Sequence, residues 1–282
     1  MPEINWYPGH MARSRRLLSE QLRAVDAVVE LCDARAPLAT RNPDLEKLTR
    51  SKSRLIVLNK ADLADDAATA KWLSYFRAAG TPAMRFNSTG ARAREVFSKL
   101  EEAVKPAMER AQRRGIRKTA RIMVIGIPNV GKSTFINRIN GAPIAKVADR
   151  PGVTRANQWI KITPYLELLD TPGMLPPKLD DQARARLLAY LGSVRDQILD
   201  TEELAAGLLA HLMGIAPADT RRRFKIADGE YAHAYDLVEA ACAGRGWLIA
   251  GGRPDTDRAA ALILDEFRAG RVGKITLEVP DA

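Results

Sequence analysis

The sequence predicts an α/β unit built on a mostly parallel sheet, followed by a smaller α-helical unit. Three observations carry that expectation. Short apolar runs alternate with helix-length stretches between residues 24 and 140, the spacing of strands joined by helical crossovers. A glycine-rich loop, GIPNVGKS (126–133), follows one of those runs and opens a helix. After Pro177 the chain becomes rich in alanine and leucine at helical spacing. The boundary is drawn there, giving units of 1–177 and 178–282; a chain of 282 residues has room for about two domains.

Taken in order, MARSRRLLSEQLR (11–23) reads as a helix with Leu17, Leu18 and Leu22 near one face. AVDAVVELCDAR (24–35) is the dense apolar run of a buried parallel strand. Residues 42–49 read as a helix, and SRLIVLNKAD (53–62) as a second apolar strand running into a loop. A helix is expected over 65–79, a third strand and loop in PAMRFNSTG (82–90), and another helix over 91–112. Residues 110–121, RAQRRGIRKTAR, hold six basic residues and no acidic one, which fits either a solvated helix end or a nucleic-acid contact. RIMVIG (121–126) is the fourth strand, and the helix after the glycine loop stops near Gly141. NQWIKITPYLELL (157–169) divides into two strands near Pro164, because proline cannot donate to a central ladder. Helical patterns then occupy 181–213, 233–243 and 255–269, and GRVGKITLEV (270–279) closes the chain as a short extended piece.

A formal charge of +10 and a pI of about 9.8 favour a polyanionic partner, nucleic acid or an anionic membrane surface. No apolar run reaches the roughly 18 residues of a membrane span. The start, MPEINWYPGHM, lacks the basic and apolar regions of a signal peptide, so a cytoplasmic monomer is expected. Cys32 and Cys242 form no CxxC pair, which argues against a zinc ribbon or redox motif. Cys32, inside an apolar run, reads as a small buried hydrophobe.

GIPNVGKS has the strand-before, helix-after context of a phosphate-binding loop. Glycine at 126 and 131 lets the backbone approach a phosphate. The N–H groups of Asn129, Val130, Gly131, Lys132 and Ser133 can turn toward it at a helix N-terminus, with Pro128 and Thr134 bounding the loop. Lys132 is expected to reach the β- and γ-phosphates, and Ser133 to offer its hydroxyl to Mg²⁺. DTPG (170–173) ends the strand YLELLD; Asp170 is the expected magnesium carboxylate and the Gly173 N–H the sensor of a γ-phosphate. PGVT (151–154) lies between them, and Thr154 is the expected switch residue, meeting Mg²⁺ and the γ-phosphate.

LNKAD (58–62) reads a base. The Asp62 carboxylate can accept from guanine N1–H and its 2-amino group, donors that adenine lacks. Lys60 can lay its stem on the base, Asn59 can tie neighbouring loops, and Asn87, Ser88 and Thr89 can bring N–H groups to guanine O6. The guanine motif therefore precedes the phosphate loop, the reverse of the usual order. Joining the old termini and opening the chain elsewhere leaves the packed layers unchanged, so the expected fold is a circularly permuted P-loop GTPase domain. AVDAVVELCDA is then the strand that normally follows DxxG.

With WYPGHM (6–11), DARAPLATRNP (33–43), NKAD, GIPNVGKS, PGVT and DTPG in this order, the chain resembles the circularly permuted GTPases of the YlqF/RbgA type over roughly residues 4–280. The resemblance implies GTP hydrolysis and a part in large ribosomal subunit assembly. The implied partners are ribosomal RNA and proteins of a large-subunit precursor, met by an ANTAR-like helical unit at 178–282. It points to His10 as the group that orients or deprotonates the attacking water. The position after DxxG is Met174, where many GTPases place a water-orienting glutamine. Together with Lys132 and Thr154, His10 completes the expected catalytic set. It also implies K⁺ held by the Asn129 side-chain oxygen beside the phosphates. His211 and His233 read as structural. Two other classes remain open at this point: a signalling GTPase acting on a protein partner, and an RNA-binding module in which nucleotide is structural.

Overall fold

The computed structural model describes residues 18–87, 90, 93–141, 158–173, 181–194 and 200–280, apart from the side chains of Asp44 and Ala93. Six strands, β1 (Ala27–Asp33), β2 (Ser53–Asn59), β3 (Ala83–Arg85), β4 (Ala120–Ile125), β5 (Gln158–Thr163) and β6 (Leu166–Asp170), form one sheet. Their spatial order is β3-β2-β1-β4-β6-β5. All neighbours are parallel except β5, which pairs antiparallel with β6. The strand AVVELCD therefore sits directly beside the strand that leads into GIPNVGKS, as the permuted order requires.

All seven residues of β1 are buried, because the strand is central and covered on both faces. Alternation sends its side chains to two layers. Val29 and Leu31, with Leu55, Val57, Ile122 and Val124, join a cluster with Leu100 and Val104 of a long helix (Ala93–Arg113) and Phe135 and Ile136 of the helix Lys132–Asn140. On the other face, Val28, Met123, Ile125 and Leu169 meet Leu18 and Leu22, while Cys32, Ile56 and Leu58 meet Trp72 and Phe76 of the helix Asp66–Ala78. Burial pushes the Cys32 thiol up, in keeping with a packing role. Pro164 and Tyr165 form the turn of the β5–β6 hairpin.

Beyond the sheet come helices Gln182–Tyr190, Thr201–Ile215, Pro217–Phe224, Ala234–Arg245 and Thr256–Arg268. Asp181, Asp200 and Asp255 cap three of them by accepting from backbone N–H groups. Leu204, Leu208, Val238, Ile263 and Phe267 continue the larger sheet-side apolar cluster, so one core runs through both parts. The helix at 217–224 was not expected. Its polar sequence hides the period, although Pro217 at the first turn and Arg221–Arg223 at the last are end signals.

The expected short extended piece at 270–279 belongs to no sheet: residues 271–279 run as a strap over the sheet's loops. Ile275 N donates to Leu63 O (3.1 Å), Leu277 N to Arg35 O (2.7 Å), and Trp72 Nε1 to Glu278 O (3.0 Å). Among the described residues, no helix is long and apolar enough to cross a membrane.

Candidate nucleotide site

The loop 126–131 leaves β4 at the carboxyl ends of the parallel strands, where ligands gather in such sheets. Two glycines are required there by contact. A β-carbon at Gly126 would lie 2.6 Å from Leu31 O, and one at Gly131 (φ 90°) would collide with Asn59 Nδ2. The second contact marks the junction between the two motifs. Asn59 Nδ2 donates to Val130 O (2.8 Å), and Lys60 Nζ donates to Asn129 O (2.7 Å). The NKAD motif thus grips the backbone of the GIPNVGKS loop directly.

Behind Lys60 stands Asp33, at 3.1 Å, which also forms a two-point ion pair with Arg35 (Nη2–Oδ2 2.8 Å, Nε–Oδ1 3.0 Å). Burial alone would raise the Asp33 pKa. The Arg35 and Lys60 charges outweigh it and hold the carboxyl well below the usual range. Arg35, itself buried, extends Nη1 to Phe267 O (3.3 Å) and Arg268 O (3.1 Å) at the end of the last helix. In the sequence, DARAPLATRNP carries the family resemblance without a role for Asp33 or Arg35. The available signal was a carboxylate and a guanidinium two residues apart at the end of an apolar strand.

Asp62 lines a cleft of about 280 Å³ with Phe86, Asn87, Gly90, Arg85 and Lys274. Its loop is held from behind by the strap: Asp65 N donates to Thr276 Oγ1 (3.1 Å), and Lys274 pairs with Asp66 (2.9 Å). Ala61 N donates to Phe86 O (3.1 Å), which joins the NKAD and NSTG loops.

At the phosphate end, Lys132 Nζ is buried and donates to Ile127 O (2.8 Å) and Gly126 O (3.1 Å). Burial pulls its pKa down to about 8, with Asp170 acting in the opposite direction. Ser133 Oγ lies 3.4 Å from Asp170 Oδ2. Asp170 Oδ1 is buried and has no hydrogen-bond partner among the described residues. Burial raises the Asp170 pKa against Lys132 and Ser133. A bare carboxylate oxygen next to a hydroxyl fits a hard cation that also takes phosphate oxygens. Gly173 abuts the same loop: a β-carbon there would lie 2.7 Å from Pro128 N and 3.1 Å from Lys132 Nζ. Thr134 follows Ser133 in the first turn of the helix.

Asn129 adopts a left-handed φ of 63° and sends Nδ2 to Gly192 O (2.6 Å), so its amide nitrogen is engaged by the helical part. His211 Nε2 lies 3.0 Å from Leu277 O, and His233 begins the helix 234–245. His10, Ser88, Thr89, Thr154 and Met174 lie outside the described residues.

The description "50S ribosome-binding GTPase" matches residues 121–226. The chain is 42% identical over 280 residues to ribosome biogenesis GTPase A of Bacillus cereus, covering 99% of this chain and 94% of that one. To the Thermotoga maritima protein of the same name it is 30% identical, covering 99% and 95%. Mouse mitochondrial ribosome-associated GTPase 1 is 34% identical over 214 residues, 72% of this chain and 65% of that one. Among solved structures, GNP-bound YlqF from T. maritima superposes with a TM-score of 0.67 at 28% identity, covering 95% of this chain and 99% of that chain.

Proposed function

The chain belongs to the ribosome biogenesis GTPase A family, and on that premise we propose that it hydrolyses GTP to GDP and phosphate while docked on precursors of the large ribosomal subunit. The observation that carries the chemistry is the direct bonding of Asn59 and Lys60 to the phosphate loop, which ties base reading and phosphate binding into one site. Asp62 selects guanine by accepting from N1–H and the 2-amino group. Lys132 exchanges its two carbonyl partners for phosphate oxygens, and the loop N–H groups complete the cradle.

Ser133 and Asp170 would hold Mg²⁺, with Thr154 joining them. The ion would neutralise charge on the phosphate oxygens. The Asn129 side-chain oxygen is the proposed K⁺ ligand. His10 is the proposed water-orienting group, its imidazole suited to proton traffic near neutral pH. Residues 1–177 form the proposed GTPase unit and 178–282 the ribosome-contacting unit of a cytoplasmic monomer. Its partners are ribosomal RNA and proteins of the precursor.

Two substitutions test the residue assignments. Asp62→Ala is expected to lose discrimination between GTP and ATP in equilibrium binding. His10→Ala is expected to bind GTP normally and to lose stimulation of hydrolysis by precursor particles. Full stimulation in His10→Ala would remove His10 from the mechanism, and intact discrimination in Asp62→Ala would displace the base-reading assignment.

A further inference from the structure

The sheet's amino-terminal pole, opposite the nucleotide loops, carries a surface that the GTPase reading leaves unused. The segment 112–118 is exposed throughout and runs from the end of the helix Ala93–Arg113 to the start of β4. Lys118 pairs with Asp26, and Arg121 with Glu167 (3.2 Å). Arg110, Arg113, Arg114 and Arg117 make no ion pair with any described residue, and neither does Lys161 on the edge strand β5.

Exposed rings stand at the hairpin tip and along the edge strand β5. Tyr165, at the tip of the β5–β6 hairpin, is 75% exposed, and Tyr165 O accepts from Ala120 N (2.8 Å), which pins the hairpin tip to the end of the basic segment. Trp159 is 42% exposed on β5, with the Arg121 guanidinium 5.0 Å from its ring centroid. Ile116, 55% exposed, lies within the basic segment. A purely solvated charged face has no need of exposed rings. Cationic side chains and exposed aromatic faces along one strip are the chemistry that holds unstacked bases and their phosphates.

We propose that this pole and the edge strand β5 form an RNA-contact strip for a single-stranded or looped segment, one base stacking on Tyr165 at the hairpin tip, another on Trp159 farther along β5, and the phosphates meeting Arg113, Arg114, Arg117 and Lys161. The proposal rests on the ribosome-docking reading and gives it a second point of attachment. Strand β4 separates the basic segment and Tyr165 from the phosphate loop by about 20 Å, six residues at roughly 3.3 Å each. Trp159 pairs with Leu169, one residue before Asp170, so the strip along β5 climbs from that pole toward the nucleotide end.

The test is fluorescence anisotropy with a short unstructured oligoribonucleotide and an RNA duplex of equal length, over a series of salt concentrations. The triple variant Arg113→Glu, Arg114→Glu, Arg117→Glu is expected to reduce the salt slope for the single strand by about 2, at roughly 0.7 per lost phosphate contact. Tyr165→Ala with Trp159→Ala is expected to bind the single strand about ten-fold more weakly and the duplex unchanged, since stacking requires free bases. Tyr165→Phe, which keeps the ring, is expected to match the wild type and separates stacking from misfolding.

Ring removal without effect on the single strand would overturn the proposal. So would equal losses for strand and duplex, or binding to anionic vesicles in place of RNA. A parallel measurement of precursor-stimulated GTP hydrolysis separates the two readings. Equal stimulation of wild type and the triple variant leaves docking intact and removes this surface from it. Precursors that stimulate neither would sink the docking reading, while the oligonucleotide series still decides the surface.

Discussion

Asp33 and Asp170 end the two strands that flank β4, and both carboxylates are buried. Asp33 is matched on every side, by Arg35 and Lys60, and its pKa lies far below the ordinary value. Asp170 keeps a bare oxygen and a raised pKa, and its neighbour Lys132 is pulled down to about 8. The NKAD end of the site is therefore matched as it stands, whereas the GIPNVGKS end holds a carboxylate oxygen with no partner among the described residues. Buried charge without a partner is costly, so the proposed binding of phosphate and metal would offset a cost that the nucleotide-free protein carries.

The sharpest way to break this contrast is at Asp33. Asp33→Ala leaves Arg35 buried without its partner and should cost about 3–5 kcal/mol in chemical unfolding. It should also loosen the contact of Arg35 with the last helix. A loss near zero would mean the base end is not held by this pair.

The phosphate end should respond in the opposite sense. The folded pKa of Lys132 lies below its ordinary value of 10.5, so between about pH 8 and 10.5 the unfolded chain holds more protons. Raising the pH through that window should therefore stabilise the nucleotide-free protein, by about 3 kcal/mol at most. Lys132→Met should remove this pH dependence and abolish nucleotide binding without lowering stability at pH 7. A flat stability profile in the wild type would contradict the depressed pKa that burial gives the Lys132 ammonium.

Asp170→Asn should change nucleotide-free stability by about 1 kcal/mol or less, in the favourable direction, because it deletes an unsatisfied charge. The same variant should lose the Mg²⁺ enhancement of GTP binding, measured by titration with and without the ion. The smallest effect is expected at the strap. Thr276→Val removes the acceptor for Asp65 N and should cost about 1 kcal/mol. It should speed guanine nucleotide release a few-fold, because the Asp62 loop loses a brace.

Much of the site was legible because its parts are local. NKAD, GIPNVGKS and DTPG each follow an apolar strand, and the sheet order puts them at one edge as the permuted reading requires. The contacts that escaped are distant in sequence. Arg35 meets Phe267 O and Arg268 O, and Asp65 meets Thr276, pairings that no local pattern encodes. In the strap, Ile275 and Leu277 are both buried. Its backbone bonds run to loops at Leu63 and Arg35 instead of to a strand ladder, a choice made by tertiary packing. The helix at 217–224 escaped because three consecutive arginines mask its two buried positions, Thr220 and Phe224.

On the proposed function, the GIPNVGKS end is completed by GTP and its metal while the protein is docked on the ribosomal precursor. The decisive measurement is GTP turnover of the wild-type protein in Mg²⁺ and KCl, alone and with purified large-subunit precursors. Slow hydrolysis alone and a marked rise with the precursors are expected, with no rise from small subunits. Fast hydrolysis in isolation, unchanged by any particle, would contradict the proposed function.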